Sequence, residues 1–230
     1  MCYNEFRIKR YVQVTEMEVK KSKKSIVIFV ILLIIIGTVI GIIIYRNGTR
    51  RAIADIDDPV QTETLGDTAF RLDGFDVVVN YMYEYDIEAL VVHTKDYLGF
   101  DIGDQMSRRD LGLAWGGVAE YNKYIDFHWN QYDRYLSWNI DSLQELDNVG
   151  GEKYVNTHCS NNHIIPANDE VSKNIWFVRT GDHIRLKGYL VNVDATRSDR
   201  STFTWHSSTT RTDIGNGACE VIYVTDIIWL

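Results

Sequence analysis

Residues 25–45, SIVIFVILLIIIGTVIGIIIY, run for 21 positions without a single charge. A helix of that length rises roughly 30 Å, which matches the hydrocarbon core of a bilayer. It would be apolar on every face, which no water-exposed helix needs, so the segment reads as one transmembrane span. A cleaved signal peptide fits less well. The apolar run is longer than an ordinary h-region, and RNGTRR follows it in place of a small-x-small cleavage site. The expectation is an uncleaved signal-anchor with four parts: a basic cytoplasmic tail (1–24), the span (25–45), a polar stalk (46–68) and an outer domain (69–230).

Charge orients this arrangement. Arg7, Lys9, Arg10, Lys20, Lys21, Lys23 and Lys24 face three glutamates before the span, whereas Arg46, Arg50 and Arg51 follow it. The excess predicts a cytoplasmic N-terminus and an extracytoplasmic C-terminal domain. Of 24 Lys+Arg and 32 Asp+Glu, ten and three precede residue 52. The outer part is left with a net charge of about −15, which repels phosphate polymers and argues against nucleic acid as a partner. Lipid is the expected partner of the basic end. Gly37 and Gly41 form a Gly-x-x-x-Gly face, from which a weak homodimer of spans is expected.

The outer domain reads as β-rich, of α+β class. Val77, Val79, Tyr81, Tyr83, Tyr85 and Ile87 alternate along one face, with a bend or hairpin expected near residues 84–86. Further strands are expected at 134–140, 182–193, 200–208 and 218–230. In 182–193, Ile184, Leu186 and Leu190 share a face and Gly188 marks a bulge or close approach. Asn168 is placed to cap a helix over 169–179 with a Val171, Ile175 and Val178 stripe. A second, glycine-interrupted helix is expected in 108–121. Short strands with one or two short helices suggest a small OB-like barrel.

Four blocks occur in order: DLGLAWG (110–116), NNHIIPAN (161–168), GDHIRLKGYLV (181–191) and SSTTRTDIGNGACE (207–220). Together they resemble an uncharacterised family of bacterial membrane-anchored or exported proteins, over roughly residues 85–228. The resemblance implies a bacterial envelope protein, hence the cytoplasmic membrane and a periplasmic domain, and supplies no mechanism.

Two regions hold candidate chemistry. HCSNNHIIPAN (158–168) offers His158, Cys159 and His163, to which His206 could add a fourth metal ligand. Adjacent His158 and Cys159 rarely aim at one ion, and the spacing matches no common zinc motif. We expect instead a structural loop without metal or other cofactor, pinned by a Cys159–Cys219 disulfide, since these are the two cysteines outside the cytoplasm. The 207–220 segment offers Ser207, Ser208, Arg211 and Asp213. A nucleophile reading would use Ser208 with His163 and Asp213. However, no strand–elbow–helix pattern surrounds Ser208, and a turn that satisfies its own backbone is the commoner reading. If the segment acts, binding through Arg211, His163, Ser207 and Ser208 is the favoured role. The six tryptophans suggest a glycan groove or, more simply, core. The expected function is therefore a non-catalytic binding domain for an envelope protein or glycan, with an envelope hydrolase using His163, Ser208 and Asp213 as the alternative.

Overall fold

The computed structural model of the protein describes residues 24–41, 50–210, 213 and 218–230. It divides into two units, Met1–Gly48 and Thr49–Leu230. In the first, α1 (Lys24–Gly41) is a continuous helix with no buried side chain. Its length and composition suit a membrane span, and a signal sequence near an N-terminus meets the same criteria. Residues 1–23 and 42–49, including most of the expected tail and the end of the span, lie outside the described residues.

The second unit runs β1 (Val60–Leu72), β2 (Phe75–Asp96), α2 (Ile102–Met106), β3 (Arg109–Ala114), α3 (Gly116–Tyr121), β4 (Asn130–Tyr132) and β5 (Tyr135–Ser137). A 3-10 turn (Leu143–Asn148) leads into α4 (Glu152–Thr157), β6 (Cys159–Pro166), α5 (Asp169–Phe177), β7 (His183–Arg197), β8 (Thr202–His206) and β9 (Glu220–Trp229). Seven strands form one sheet in the order β1-β2-β3-β6-β9-β7-β8, with an added β2–β7 pairing, and β4 and β5 form a separate hairpin. The pairs are antiparallel apart from β6 and β9, which run parallel. β1 and β8 end the strand order with one neighbour each, and the sheet as a whole is not a closed barrel.

The β2 alternation is real, yet no hairpin interrupts it. One strand of 22 residues continues through 84–86, and the irregularity is a bulge between Tyr81 and Tyr83. A one-residue slip moves all later side chains to the other face of a strand. Its consequence is two cores. Val77 and Val79 pack with Val191 and Val193, whereas Ile87 and Ala89 pack with Ile184, Leu186 and Leu190. Leu190 and Val191 are neighbours in the chain but serve different cores, since successive strand residues point to opposite faces. At Gly188 a Cβ would come 2.0 Å from the Tyr223 carbonyl oxygen, so this position admits β9 only as glycine.

Three expectations are corrected. The supposed stalk supplies Ile56 to the larger core and β1 to the sheet. The 108–121 segment splits into the fully buried strand β3 and the short helix α3. The stretch 158–168 is no loop: Cys159–Pro166 is β6, buried between β3 and β9. Its polar residues sit in a strand with partners inside the fold: His163 and Asn161 bond to Asp110, and Asn162 Nδ2 donates to the Leu111 carbonyl and Ser160 Oγ, while Asn162 Oδ1 is buried without a partner among the described residues. As expected, Asn168 caps α5, its Oδ1 accepting from the Glu170 and Val171 amides at 3.0 Å each. The other end of α5 is closed by the buried Arg109 guanidinium, which donates to the carbonyls of Ile175, Trp176 and Val178.

Candidate functional site

Asp110 and His163 face one another across the antiparallel β3–β6 pair. Directly opposed strand residues share a face with Cβ atoms about 5 Å apart, so the two side chains meet. His163 Nδ1 lies 2.9 Å from Asp110 Oδ2, with Asp110 0% and His163 3% exposed. A carboxylate only accepts, so Nδ1 carries a proton, and in the neutral ring Nε2 is left as the acceptor. Among the described residues Nε2 has no hydrogen-bond partner.

Three more groups donate to Asp110. Arg134 Nη1 does so at 2.9 Å, Ser107 Oγ at 3.1 Å and Asn161 Nδ2 at 3.2 Å. Arg134 also pairs with Asp104 through Nη2. Behind this centre, His93 donates to Gln131, Gln131 donates to Asn161, and Asn161 returns to the Arg134 carbonyl. The network fixes its members because Asp110, Asn161 and Gln131 are each held by more than one partner.

Arg134 reaches the site from the two-residue turn between β4 and β5. Asp133 and Arg134 have φ of 49° and 63°, the left-handed pair that a type I′ hairpin requires. Glycine or asparagine is usual there, and an arginine persists in such backbone only where its surroundings hold it. Its guanidinium lies 4.0 Å from the Tyr97 ring centre and 5.1 Å from that of Trp205. Burial pushes the Tyr97 phenol up to about 12, and the nearby Asp110 carboxylate adds to that effect.

These side chains wall a cavity of about 420 Å³ between α2, the β4–β5 turn and β8. Asp101, Asp104 and Asp133 supply carboxylates, Trp205 and Phe203 supply rings, and His163 is part of the wall. His206, also in the wall, is exposed on β8.

The remaining expected residues lie elsewhere. Ser208 Oγ donates to Asp213 Oδ2 at 2.7 Å, Ser208 N to the Cys219 carbonyl, and Ser207 Oγ accepts from Val221 N. Ser208 and Asp213 therefore pair directly, while His163 is held by Asp110. Asp213 lines a smaller cavity of about 160 Å³ with Cys159 and Cys219. Arg211, Gly215 and Gly217 fall outside the described residues.

The expected disulfide is not formed; Cys159 and Cys219 are free thiols. The β6–β9 register explains why. Asn162 pairs with Glu220, so one step back sets Cys219 beside Asn161, two residues beyond Cys159. That offset separates the Cα atoms by roughly 8 Å, past the reach of a bridge. Burial, reinforced by Glu220, raises each thiol to about 12, so both stay protonated and poorly nucleophilic.

Among the described residues no group of three or more His, Cys, Asp or Glu side chains is arranged to hold a metal ion. His158 instead stacks on Tyr154 with ring centres 3.6 Å apart, well away from His163 in role. Nor do the tryptophans form a groove. Trp115, Trp129 and Trp138 pack with the larger core, Trp176 lies beneath Arg109, and Trp229 is exposed. Only Trp205 of the six faces the larger cavity.

Sequence reasoning singled out His163 and Trp205 but missed Asp110, Arg134 and Asn161. Asp110 and Asn161 open two of the quoted blocks, DLGLAWG and NNHIIPAN, but nothing in either block pairs them, and Arg134 sits in none. Comparison of the chain with protein-family models, curated proteins and solved structures gives no match, so the site stands on its geometry alone.

Proposed function

We propose that this is a single-pass bacterial envelope protein whose extracytoplasmic domain binds a ligand in the cavity between α2, the β4–β5 turn and β8. The observation that carries the reading is His163. It is a buried side chain held in one tautomer by Asp110, whose remaining acceptor sits in a cavity wall without a partner among the described residues. In the neutral ring that nitrogen is an acceptor on the cavity wall, placed to take a hydrogen bond from a ligand. Apolar α1, the basic excess before it and the four family-like blocks support anchoring in the cytoplasmic membrane with the domain outside. The pairing path β2–β3–β6–β9–β7 and back to β2, with α5 between β6 and β7, supports an OB-like, partly open barrel extended by β1 and β8.

Native mass spectrometry of the full chain, extracted from its own membranes, tests the reading. A small-molecule adduct is expected on the wild type and absent from Thr204→Trp, which adds an indole at a residue of the cavity wall. Wild-type protein free of any adduct, or an adduct indifferent to the substitution, would count against it.

The hydrolase reading retains one supporting observation, the His163–Asp110 pair, which has the geometry of an oriented general base. Ser208 is engaged with Asp213, so water would be the nucleophile. Hydrolysis of 4-nitrophenyl acetate that disappears in His163→Gln would favour it; equal rates in both proteins would remove it.

A further inference from the structure

We infer that the ligand of this cavity is a neutral saccharide unit; the inference rests on the binding reading above and names its substrate class. The choice follows from which chemistries the walls reject. Asp101, Asp104 and Asp133 line the cavity, and Asp110 lies beneath them. Arg134 is the cation among these wall residues, and both of its Nη atoms are already committed to Asp104 and Asp110. A phosphate, sulfate or carboxylate ligand would therefore meet uncompensated negative charge.

A cationic ligand finds its usual ring position already taken. Carboxylates beside aromatic rings are the usual surroundings of an ammonium group. Here that position is filled from within, since the Arg134 guanidinium lies 4.0 Å from the Tyr97 ring centre and 5.1 Å from Trp205. A second cation on those rings would stand against the first.

What remains is a neutral molecule rich in hydroxyl donors. His163 Nε2 requires a donor, and it is a polar atom on a side chain only 3% exposed. The free oxygens of Asp101 and Asp133 require donors as well. Phe203, set edge to face with Trp205 at 6.0 Å, supplies apolar surface for the C–H face of a pyranose ring. A volume of about 420 Å³ falls in the range of small-molecule sites.

The test is isothermal titration of the full chain in detergent with three probe classes. The neutral probes are N,N′-diacetylchitobiose, maltose and lactose, the cation is spermidine, and the anion is glucose 6-phosphate. Saturable binding of at least one neutral disaccharide is expected, weakened at least tenfold in Thr204→Trp and in Asp133→Asn. Each variant should melt within a few degrees of the wild type. Saturation by spermidine or glucose 6-phosphate alone, lost in Thr204→Trp, would overturn the saccharide assignment and leave the cavity-binding reading standing. Disaccharide binding unchanged in folded Thr204→Trp would place the sugar elsewhere and overturn the inference. No saturation by any probe would overturn it too, and adduct-free native protein would then remove the binding reading with it.

Discussion

Replacing Asp110 with Asn keeps the shape of the side chain and removes the charge on which the site converges. Asp110 accepts from Arg134, His163, Asn161 and Ser107 and is 0% exposed. The new amide would turn donors toward donors at one oxygen position and leave Arg134 with Asp104 alone. Breaking one side of a buried ion pair destabilises by about 3–5 kcal/mol. Arg134 retains Asp104, and its side chain is 19% exposed, so the lower end, ~3 kcal/mol, applies here. For a unit of this size each kcal/mol shifts the melting temperature by about 2–4 °C, hence a fall of roughly 6–12 °C. Circular dichroism melts of the detergent-solubilised chain at neutral pH measure it. A double-mutant cycle with Arg134→Gln should return a coupling of at least ~1 kcal/mol. A melting temperature within about 3 °C of the wild type, or strictly additive substitutions, would refute the network as a structural unit.

Four further outcomes follow from the same structure. Gly188→Ala drives a Cβ to within 2.0 Å of the Tyr223 carbonyl oxygen, and should destabilise by ~3 kcal/mol or more, with faster amide exchange along β7 and β9. Asn168→Ala removes the α5 cap and should lower stability by about 1 kcal/mol in chemical denaturation, the loss confined to this helix. Asp86, held below its usual value first by its hydrogen bond to Arg185 and then by that charge, stabilises the fold above about pH 4. That contribution disappears as pH falls through the depressed value, so Asp86→Asn should flatten the acid limb of a melting-temperature profile, and an unchanged limb would dismiss the pair. Cys159 and Cys219, free and raised to about 12, should resist iodoacetamide at pH ~8 in the native chain. Both should take it up in denaturant without a reductant, and a requirement for reductant would restore the bridge.

How much was legible in the sequence depends on the range of the interaction. The apolar helix and the Asn168 cap rest on nearby residues and were read correctly, and the close approach at Gly188, made to Tyr223 of β9, showed itself as a glycine inside a strand pattern. The period-two pattern of β2 was legible, but not that the bulge at Tyr81–Tyr83 divides its residues between two faces, because the alternation in sequence runs through the bulge unbroken. β6 was read as a loop because polarity was taken for solvent exposure. Asn161, Asn162 and His163 are buried polar residues whose partners lie far along the chain; 53 residues separate His163 from Asp110. Arg134, 24 residues from Asp110, was hidden as well, because its role depends on a hairpin turn bringing one charge beneath β8. The disulfide failed for a related reason, because cysteine counting says nothing of strand register.

The central claim is that His163 offers a bare Nε2 to a ligand while Asp110 holds its Nδ1 proton. Nitrogen-15 NMR of histidine-labelled full-length protein measures this directly, with His163→Gln assigning the resonances. The predicted spectrum shows His163 protonated at Nδ1 and unprotonated at Nε2, and the Nε2 resonance moves on saturation with the disaccharide that binds. A proton found on Nε2, or an Nε2 resonance indifferent to a ligand that Thr204→Trp abolishes, would contradict it.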